Sequence, residues 1–242
     1  MADSIKELQR EFSGNSFHLH AYMGVYEIRD RDEAVSIMVD KANIAADTIK
    51  NNYDCCVAYY DEHLLEISIE QRRLLGEFEP ALQNDEFVMY LQPQVKRDGA
   101  AKGAEALVRW VHPSRGILTP YAFIDILENA GLIYKLDLYI WEKAAQKLAE
   151  WKEKGYGSYH ISVNISTKDF YIIDIYETFT GLINKYGIAA SNLHLEITET
   201  TLMTDFEKNM NIIHKLQDVG FRVEIDDFGS GYSSLNMLKD IS

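Results

Sequence analysis

Three apolar, strand-like segments in the second half of the chain each carry an oxygen-bearing side chain near their end: Asn164, Glu196 and Asp226. Successive side chains of a strand point to opposite faces, and in each segment the apolar residues fall on one face and these three residues on the other. A fourth residue, Glu105, lies inside an earlier strand-like segment, where a charge needs a partner. Carboxylate and amide oxygens suit hard cations such as Mg2+ or Mn2+ rather than Zn2+. The sequence therefore predicts that these four residues bind a divalent cation.

A second ion is predicted from the adjacent pair Asp226 and Asp227, at the point where the strand breaks into Phe228-Gly229-Ser230-Gly231. Two neighbouring carboxylates can hold a second ion about 3.5 to 4 Å from the first, the arrangement that supports phosphodiester hydrolysis. The predicted chemistry is attack of water on a phosphate ester. The alternative is that these acidic residues are only helix caps or solvated groups at strand ends, and strand parity alone leaves both open.

The candidate ligands depend on an alternation of strands and helices that begins near Asp85. Helices are predicted from Thr119 and Pro120, as N-cap and first position, to Gly131, and over Lys135–Lys154. Such an alternation predicts most of an α/β, TIM-like (β/α)8 barrel, whose active site lies at the C-terminal ends of the strands. Five strands are predicted: Phe87–Val95, Ala104–Val111, Tyr159–Ile165, Leu193–Thr198 and Phe221–Asp226. A (β/α)8 barrel needs at least about 200 residues, so residues 85–242 are expected to form an incomplete one.

Residues 1–63 are interpreted as a separate, small α/β piece with a strand over Phe17–Glu27, a helix over Asp32–Lys50 and a strand over Cys55–Tyr60. A charged amphipathic pattern then predicts a helix over Glu62–Asn84, with Pro80 near its end. Residues 64–84 are interpreted as a linker helix with one packed face rather than as a partner-binding helix. The third part, residues 85–242, is the predicted barrel domain.

The composition and charge argue against several classes of partner and location. The chain has 24 Lys and Arg against 38 Asp and Glu, a formal net charge of -14, which argues against nucleic-acid polymers and anionic membranes as partners. Its apolar runs fall far short of the roughly 18 to 20 residues that span a bilayer, and its first residues lack a signal-peptide pattern. The only cysteines, Cys55 and Cys56, are adjacent and predict no disulfide. These features predict a cytoplasmic protein. No two of His112, His160, His194 and His214 have metal-pair spacing, so these four are interpreted as packing or surface residues.

The segment Glu105-Ala106-Leu107-Val108-Arg109-Trp110 resembles the signature that names the EAL family of cyclic-di-GMP phosphodiesterases. Other segments resemble the same family in order and spacing, and the resemblance covers essentially all of residues 86–242. These segments are Tyr90-Leu91-Gln92-Pro93, His112-Pro113, Ser162-Val163-Asn164-Ile165-Ser166, Leu195-Glu196-Ile197-Thr198-Glu199 and Asp226-Asp227-Phe228-Gly229-Ser230-Gly231-Tyr232-Ser233-Ser234.

The resemblance implies an EAL-type barrel that hydrolyses cyclic-di-GMP to linear pGpG with two Mg2+ or Mn2+ ions, in bacterial second-messenger signal transduction. It implies that Glu105, Asn164, Glu196 and Asp226 bind one ion, and that Asp226 bridges to a second ion that Asp227 also binds. By the same resemblance, Glu105, Asp226 and Asp227 are the catalytic residues present in the chain.

Further roles follow from the resemblance alone. Gln92, Leu107 and Arg109 are expected to bind the substrate, and a guanidinium fits a phosphodiester. Glu199 is expected to steady the loop after the Asp pair, and this loop, Phe228–Ser234, is expected to couple homodimer contacts to the site.

The family's catalytic Lys, a later Glu that supports the metals and a later Gln at the guanine site would lie beyond Ser242, so this chain is expected to be inactive although its family is enzymatic. Two alternatives stay open: a non-catalytic cyclic-di-GMP-binding sensor, and a dimerisation module. Residues 34–60 resemble the last helix and strand of a GGDEF domain. The GGDEF signature is absent from the sequence, so no cyclase activity is expected.

Overall fold

The structure is a computed structural model that describes residues 21–50, 56–95 and 99–226. The chain divides into two compact units between Gly76 and Glu77. In the first unit two short strands pair in parallel, as expected when a helix connects them. The elements are β1 (Met23–Val25), α1 (Val35–Asp47) and β2 (Val57–Tyr59). Their types agree with the predicted strand, helix and strand, although each is shorter; Phe17 to His20 and Cys55 lie outside the described residues.

Helix α2 spans Glu62–Gln83, close to the predicted Glu62–Asn84, and contains Pro80 in its last turn. In the second unit, Phe78 and Ala81 of this helix are buried, and the Phe78 ring meets Phe87 edge-on at 5.7 Å between centroids. The C-terminal part of the predicted linker helix therefore packs as part of the second unit. None of the helices in the described ranges is both long and apolar enough to cross a membrane.

The second unit is built on one sheet of the strands β3 (Phe87–Val95), β4 (Ala101–His112), β5 (Gly116–Leu118), β6 (His160–Ile165), β7 (Leu193–Thr198) and β8 (Arg222–Asp226). The strand order is β3-β4-β6-β7-β8, and β5 pairs with the end of β4 beyond the residues that pair with β6. Strands β4, β6, β7 and β8 are parallel, whereas β3 is antiparallel to β4. Five residues link β3 to β4, and a parallel connection needs a dozen or more. The five predicted strands are confirmed, and the described residues do not close the sheet into a barrel.

Helices follow β6 and β7, and a helix follows β4 after the short strand β5. The predicted helix after Thr119 begins as a 3-10 turn, Pro120–Ala122, and the Thr119 side chain makes no capping hydrogen bond. Gly131, with φ of 68°, ends the following helix as predicted. The remaining elements are α3 (Ile124–Asn129), α4 (Ile133–Glu153), α5 (Asp169–Ile172), α6 (Ile175–Tyr186), a 3-10 turn (Ala190–Asn192), α7 (Glu199–Thr204) and α8 (Phe206–Val219).

The core lies between the sheet and these helices. The apolar face predicted for β6 and β7 is buried throughout, and helix α4 contributes the buried stripe Leu136, Ile140, Ala144 and Leu148. Fully burying one such side chain contributes roughly 1.5 to 3 kcal/mol. The strand residues of this face are Ile161, Val163, Ile165, Leu193, Leu195 and Ile197. Because this face packs against the helices, the alternate residues of the same strands line the opposite, inner face of the sheet.

Candidate functional site

The four candidate ligands come from four adjacent strands and share the inner face of the sheet. In the pairing register, Glu105 lies beside Ser162, Asn164 beside Glu196, and Asp226 two residues further along than the partner of Glu196. The set therefore follows a line inclined to the strands. Strands in barrels tilt by roughly 35 to 45° from the axis, so an inclined line of this kind keeps side chains at a similar height.

Direct contacts tie two of these strands together at the site. The Asn164 amide nitrogen donates to Glu105 Oε1 at 3.2 Å. The indole nitrogen of Trp141 on α4 donates to the Asn164 main-chain oxygen at 3.0 Å, which fixes the end of β6 from the core side. Glu196 is only 8% exposed, whereas Asn164 and Asp226 are exposed. The site thus has a buried carboxylate at its base and accessible ligands around it.

Negative charge accumulates around Glu196. Burial raises the pKa of this carboxyl first, and the carboxylates of Glu105, Glu224 and Asp226 raise it further, while a hydrogen bond from Ser162 acts in the opposite direction. Like charges on neighbouring strands oppose the ionised form. A bound cation would offset this repulsion, so the electrostatics of the face favour cation binding.

The fit to a divalent cation rests on the donor types. In the described ranges, no three acidic, histidine or cysteine side chains stand close enough together to hold a metal ion. Glu105, Glu196 and Asp226 share a face and interact electrostatically, but binding one ion together requires their side chains to move closer. Three carboxylates and one amide are an all-oxygen set, which suits Mg2+ or Mn2+. Asp227 and the loop Phe228–Ser234 lie outside the described residues.

The three predicted substrate-binding residues lie on the same inner face, along β3 and β4. Gln92 is paired directly with Glu105, and Leu107 with Tyr90. The Arg109 guanidinium carbon lies 5.8 Å from the centre of the Tyr90 ring, and its Nη1 donates to the Val108 main-chain oxygen at 2.8 Å. Tyr90 was not predicted as a site residue, although it has the same strand parity as Gln92. The antiparallel pair thus places an amide, a guanidinium and an aromatic ring beside Glu105.

Glu199, the predicted loop-stabilising residue, is 5% exposed and is the first residue of α7. The preceding Thr198 side chain accepts a hydrogen bond from the Thr201 main-chain nitrogen and caps this helix. A carboxylate in the first turn is favoured by the helix dipole. The role of Glu199 toward the following loop stays a prediction, because that loop lies outside the described residues.

A polar group below the candidate ligands was missed as a unit by the sequence analysis. His160 and His194 stack with their ring centroids 3.8 Å apart. His160 Nε2 lies 2.7 Å from Gln94 Oε1, and His194 Nδ1 lies 2.8 Å from Glu224 Oε1. Both histidines are buried, which agrees with their interpretation as packing residues. Their parity with Asn164 and Glu196 was the available signal that they face the site.

Residues 76–242 match the EAL domain family. Curated relatives include the bifunctional diguanylate cyclase/cyclic di-GMP phosphodiesterase MucR of Pseudomonas aeruginosa, 32% identical over 81% of this chain and 28% of the relative. Another is the cyclic di-GMP phosphodiesterase PdeR of Escherichia coli, 33% identical over 65% of this chain and 24% of the relative. The chain thus spans about a quarter of the length of these relatives.

The solved structure of the PaMucR phosphodiesterase in its c-di-GMP complex superposes with a TM-score of 0.67 at 34% identity, covering 69% of this chain and 68% of that one. The partial sheet described above therefore belongs to an EAL-type, TIM-like fold, as predicted. Because the family match covers more than half of the sequence, the chain belongs to the EAL-domain family.

Proposed function

We propose that the EAL domain of this protein hydrolyses cyclic-di-GMP to linear pGpG with Mg2+ or Mn2+. The observation that carries the proposal is the inclined line of Glu105, Asn164, Glu196 and Asp226 across four adjacent strands of one face. The relatives MucR and PdeR are cyclic-di-GMP phosphodiesterases by name, which supports the same reaction here.

In this proposal Glu105, Asn164, Glu196 and Asp226 hold one ion, and Asp226 together with Asp227 holds a second. When bound, such ions lower the pKa of the attacking water and neutralise charge on the phosphodiester. The protein's own contribution is to keep four oxygen ligands on one face despite the mutual repulsion that raises the pKa of Glu196.

Gln92, Leu107 and Arg109 are proposed to bind the substrate beside the ions. Arg109 supplies a planar, permanently charged group that can pair with two phosphate oxygens, and Gln92 adds an amide opposite Glu105. Leu107, between Glu105 and Arg109 on the same face, gives an apolar contact. The net charge of -14 favours a compact anion held by local positive charge over a long polyanion.

We also propose that the protein is cytoplasmic and forms a homodimer. In its domain division, residues 1–63 are the end of a GGDEF-like domain, residues 64–84 are a linker helix and residues 85–242 are the EAL domain. The parallel pairing of β1 with β2 around α1 supports an α/β origin for the first part.

The test combines metal binding, ligand binding and product formation. Titration calorimetry with Mn2+ should show binding that Glu105→Ala and Asp226→Ala each abolish, while Glu153→Ala, an exposed carboxylate on α4, binds as the unchanged protein does. Arg109→Ala should weaken cyclic-di-GMP binding by about 1.5 to 3 kcal/mol, the range for a hydrogen bond to a charged group.

Release of pGpG, followed by chromatography in the presence of Mn2+, is compared between this chain, which is expected to release little, and a version extended to a complete barrel. Metal-dependent release by the extended version supports the phosphodiesterase. Tight binding of cyclic-di-GMP by the extended version without pGpG would instead identify a sensor, and unchanged Mn2+ affinity in both carboxylate variants would refute the ligand assignment.

A further inference from the structure

Gln94 on β3 reaches across the neighbouring strand to a candidate ligand two strands further on. Its pairing partner on β4 is Gly103, and the next residue in the same row is His160 on β6. Because Gly103 has no side chain, the Gln94 side chain passes over β4 without obstruction. Its Nε2 lies 3.3 Å from Glu196 Oε1 and 3.4 Å from Ser162 Oγ. An edge-strand amide therefore contacts the buried carboxylate at the base of the site.

Only one orientation of the Gln94 amide satisfies its neighbours. An ionised carboxylate accepts hydrogen bonds and cannot donate, so the amide nitrogen must face Glu196. The amide oxygen then faces His160, whose Nε2 lies 2.7 Å away and must carry the hydrogen. The proton position on His160 and the direction of the amide thus determine each other.

The His160 ring is itself held on two sides. One face stacks on the His194 ring, with centroids 3.8 Å apart and planes parallel. On another side it approaches Gly103 so closely that a Cβ there would lie 2.5 to 2.6 Å from three ring atoms. Burial, and next the neighbouring His194, lower the pKa of His160 to about 4. At neutral pH the ring is therefore uncharged and has one hydrogen to donate.

We propose that Gln94 is a positioning residue that orients the Glu196 carboxylate for metal binding, and that His160 fixes Gln94 in the productive orientation. The inference rests on the proposed function, because it assigns Glu196 as a metal ligand. Gln94 and Ser162 donate to Glu196 from the same side, so the carboxylate is held while the neighbouring acidic residues repel it. Neither Gln94 nor His160 is required to touch the ion or the substrate.

The expected effect is a loss of metal affinity. Removing the hydrogen-bonding partner of a metal ligand typically weakens metal binding by 10- to 100-fold. Gln94→Leu keeps a similar side-chain size and removes both polar contacts, and Ser162 still donates to Glu196, so we expect about a tenfold loss. Gln94→Glu places a carboxylate against Glu196 and should weaken binding further. His160→Phe keeps a ring at the stack but removes the donor to Gln94, and a smaller loss is expected.

The test is titration calorimetry with Mn2+ on the whole chain and these variants, with Gln146→Leu as the matched control. Gln146 is an exposed glutamine on α4 that donates to Tyr186 at 3.0 Å, outside the site. Far-ultraviolet circular dichroism establishes that each variant is folded. If His160 acts through Gln94, the double variant Gln94→Leu/His160→Phe should bind Mn2+ no more weakly than Gln94→Leu alone, since the two residues then form one coupled unit.

A second readout separates positioning from general damage. In calorimetry with cyclic-di-GMP at saturating Mn2+, Gln94→Leu should keep the Kd for the dinucleotide within about twofold of the unsubstituted protein, because Gln94 acts on the metal ligand and not on the substrate. Affinities for Mn2+ that equal the control in both Gln94 variants would overturn the inference and leave the proposed function intact. Failure of the unsubstituted protein to bind Mn2+ would overturn the proposed metal site, and this inference with it.

Discussion

Replacing Gly103 with alanine tests how tightly the strand row beneath the site is packed. Gly103 lies between Gln94 and His160 in adjacent strands. A Cβ at this position would stand 2.5 Å from Cδ2 and Nε2 of His160. The His160 ring is 5% exposed and stacked on His194, so it has little room to move aside.

Two opposing effects set the magnitude. Forcing an extra methyl group into a packed region typically costs about 1 to 3 kcal/mol. Alanine is otherwise preferred to glycine inside a strand by roughly 0.5 to 1 kcal/mol, so the net loss of stability should be about 0 to 2.5 kcal/mol. For a unit of this size, one kcal/mol corresponds to about 2 to 4 °C in Tm. We therefore expect the Tm to fall by up to about 10 °C.

Tryptophan fluorescence during thermal unfolding is a suitable assay, because all three tryptophans, Trp110, Trp141 and Trp151, lie in the second unit. Gly181→Ala is the matched control: Gly181 is an exposed residue inside α6, and a Cβ there meets nothing within 4 Å. Alanine is better than glycine in a helix by about 0.8 to 1 kcal/mol, so this variant should gain roughly 2 to 4 °C. A Gly103→Ala protein that gains stability as the control does would refute the close approach of His160 to this strand.

Two further predictions concern the same unit. Asp137→Asn should flatten the pH dependence of stability. Burial and the neighbouring Asp169 raise the pKa of Asp137 well above its usual value. The folded state therefore binds that proton more tightly than the unfolded state does, and the free energy of unfolding falls as pH rises. Urea unfolding between pH 5 and 8 checks this, and an unchanged slope would contradict it. Trp141→Phe removes the donor to the Asn164 main-chain oxygen and should destabilise the unit by about 1 to 3 kcal/mol. Urea unfolding followed by circular dichroism measures this loss, and a loss below about 0.5 kcal/mol would count against that hydrogen bond.

The sign for Asp137 also follows from the hydrogen bonds around it. Asp169 is fully buried, and its Oδ2 accepts from the Ser166 main-chain nitrogen at 2.8 Å, whereas its Oδ1 has no donor unless a neighbour supplies one. Asp137 and Asp169 share a side-chain hydrogen bond, and a protonated Asp137 carboxyl can donate in it. An asparagine at position 137 supplies a donor at every pH, which is why the substitution should remove the pH dependence rather than abolish folding.

The sheet was largely predictable because strand parity is a strong local signal. The apolar residues Ile161, Val163 and Ile165 alternate with polar ones, and the structure buries all three against the helices. Strand β4 begins at Ala101 rather than at the predicted Ala104, because it continues beyond the apolar stretch as the partner of β3. Local pattern therefore gave the faces correctly and the strand ends less well.

Features that depend on chain connections were not predicted. The antiparallel direction of β3 follows from the short link to β4 rather than from its own residues. The strand β5 pairs with β4 through a tight turn in which Gly116 has φ of 72°, and three residues are too few for a periodic pattern to show. The 3-10 turn at Pro120 likewise replaced the start of a regular helix.

Within the site, parity placed Asn164 and Glu196 side by side, as the register has them. Parity says which face a residue occupies but not its height relative to a neighbouring strand. The inclined line from Glu105 to Asp226 needed the pairing register itself. The metal and substrate roles of these residues, and everything that concerns Asp227, stay predictions.

The register also gives Gly103 a second role in the segment Gly103-Ala104-Glu105. Glu105 faces the site directly, two residues along the strand from Gly103. A Cβ at position 103 would press on the His160 ring that contacts the Gln94 amide oxygen. The missing Cβ therefore leaves room for the contact that holds Gln94, and Gln94 in turn reaches Glu196 on β7. The candidate ligands Glu105 on β4 and Glu196 on β7 thus both depend on this short segment. Glu105 is part of the segment, and Glu196 is held by the Gln94 amide, which crosses Gly103. A substitution at Gly103 should therefore disturb the position of Glu196 before that of Glu105.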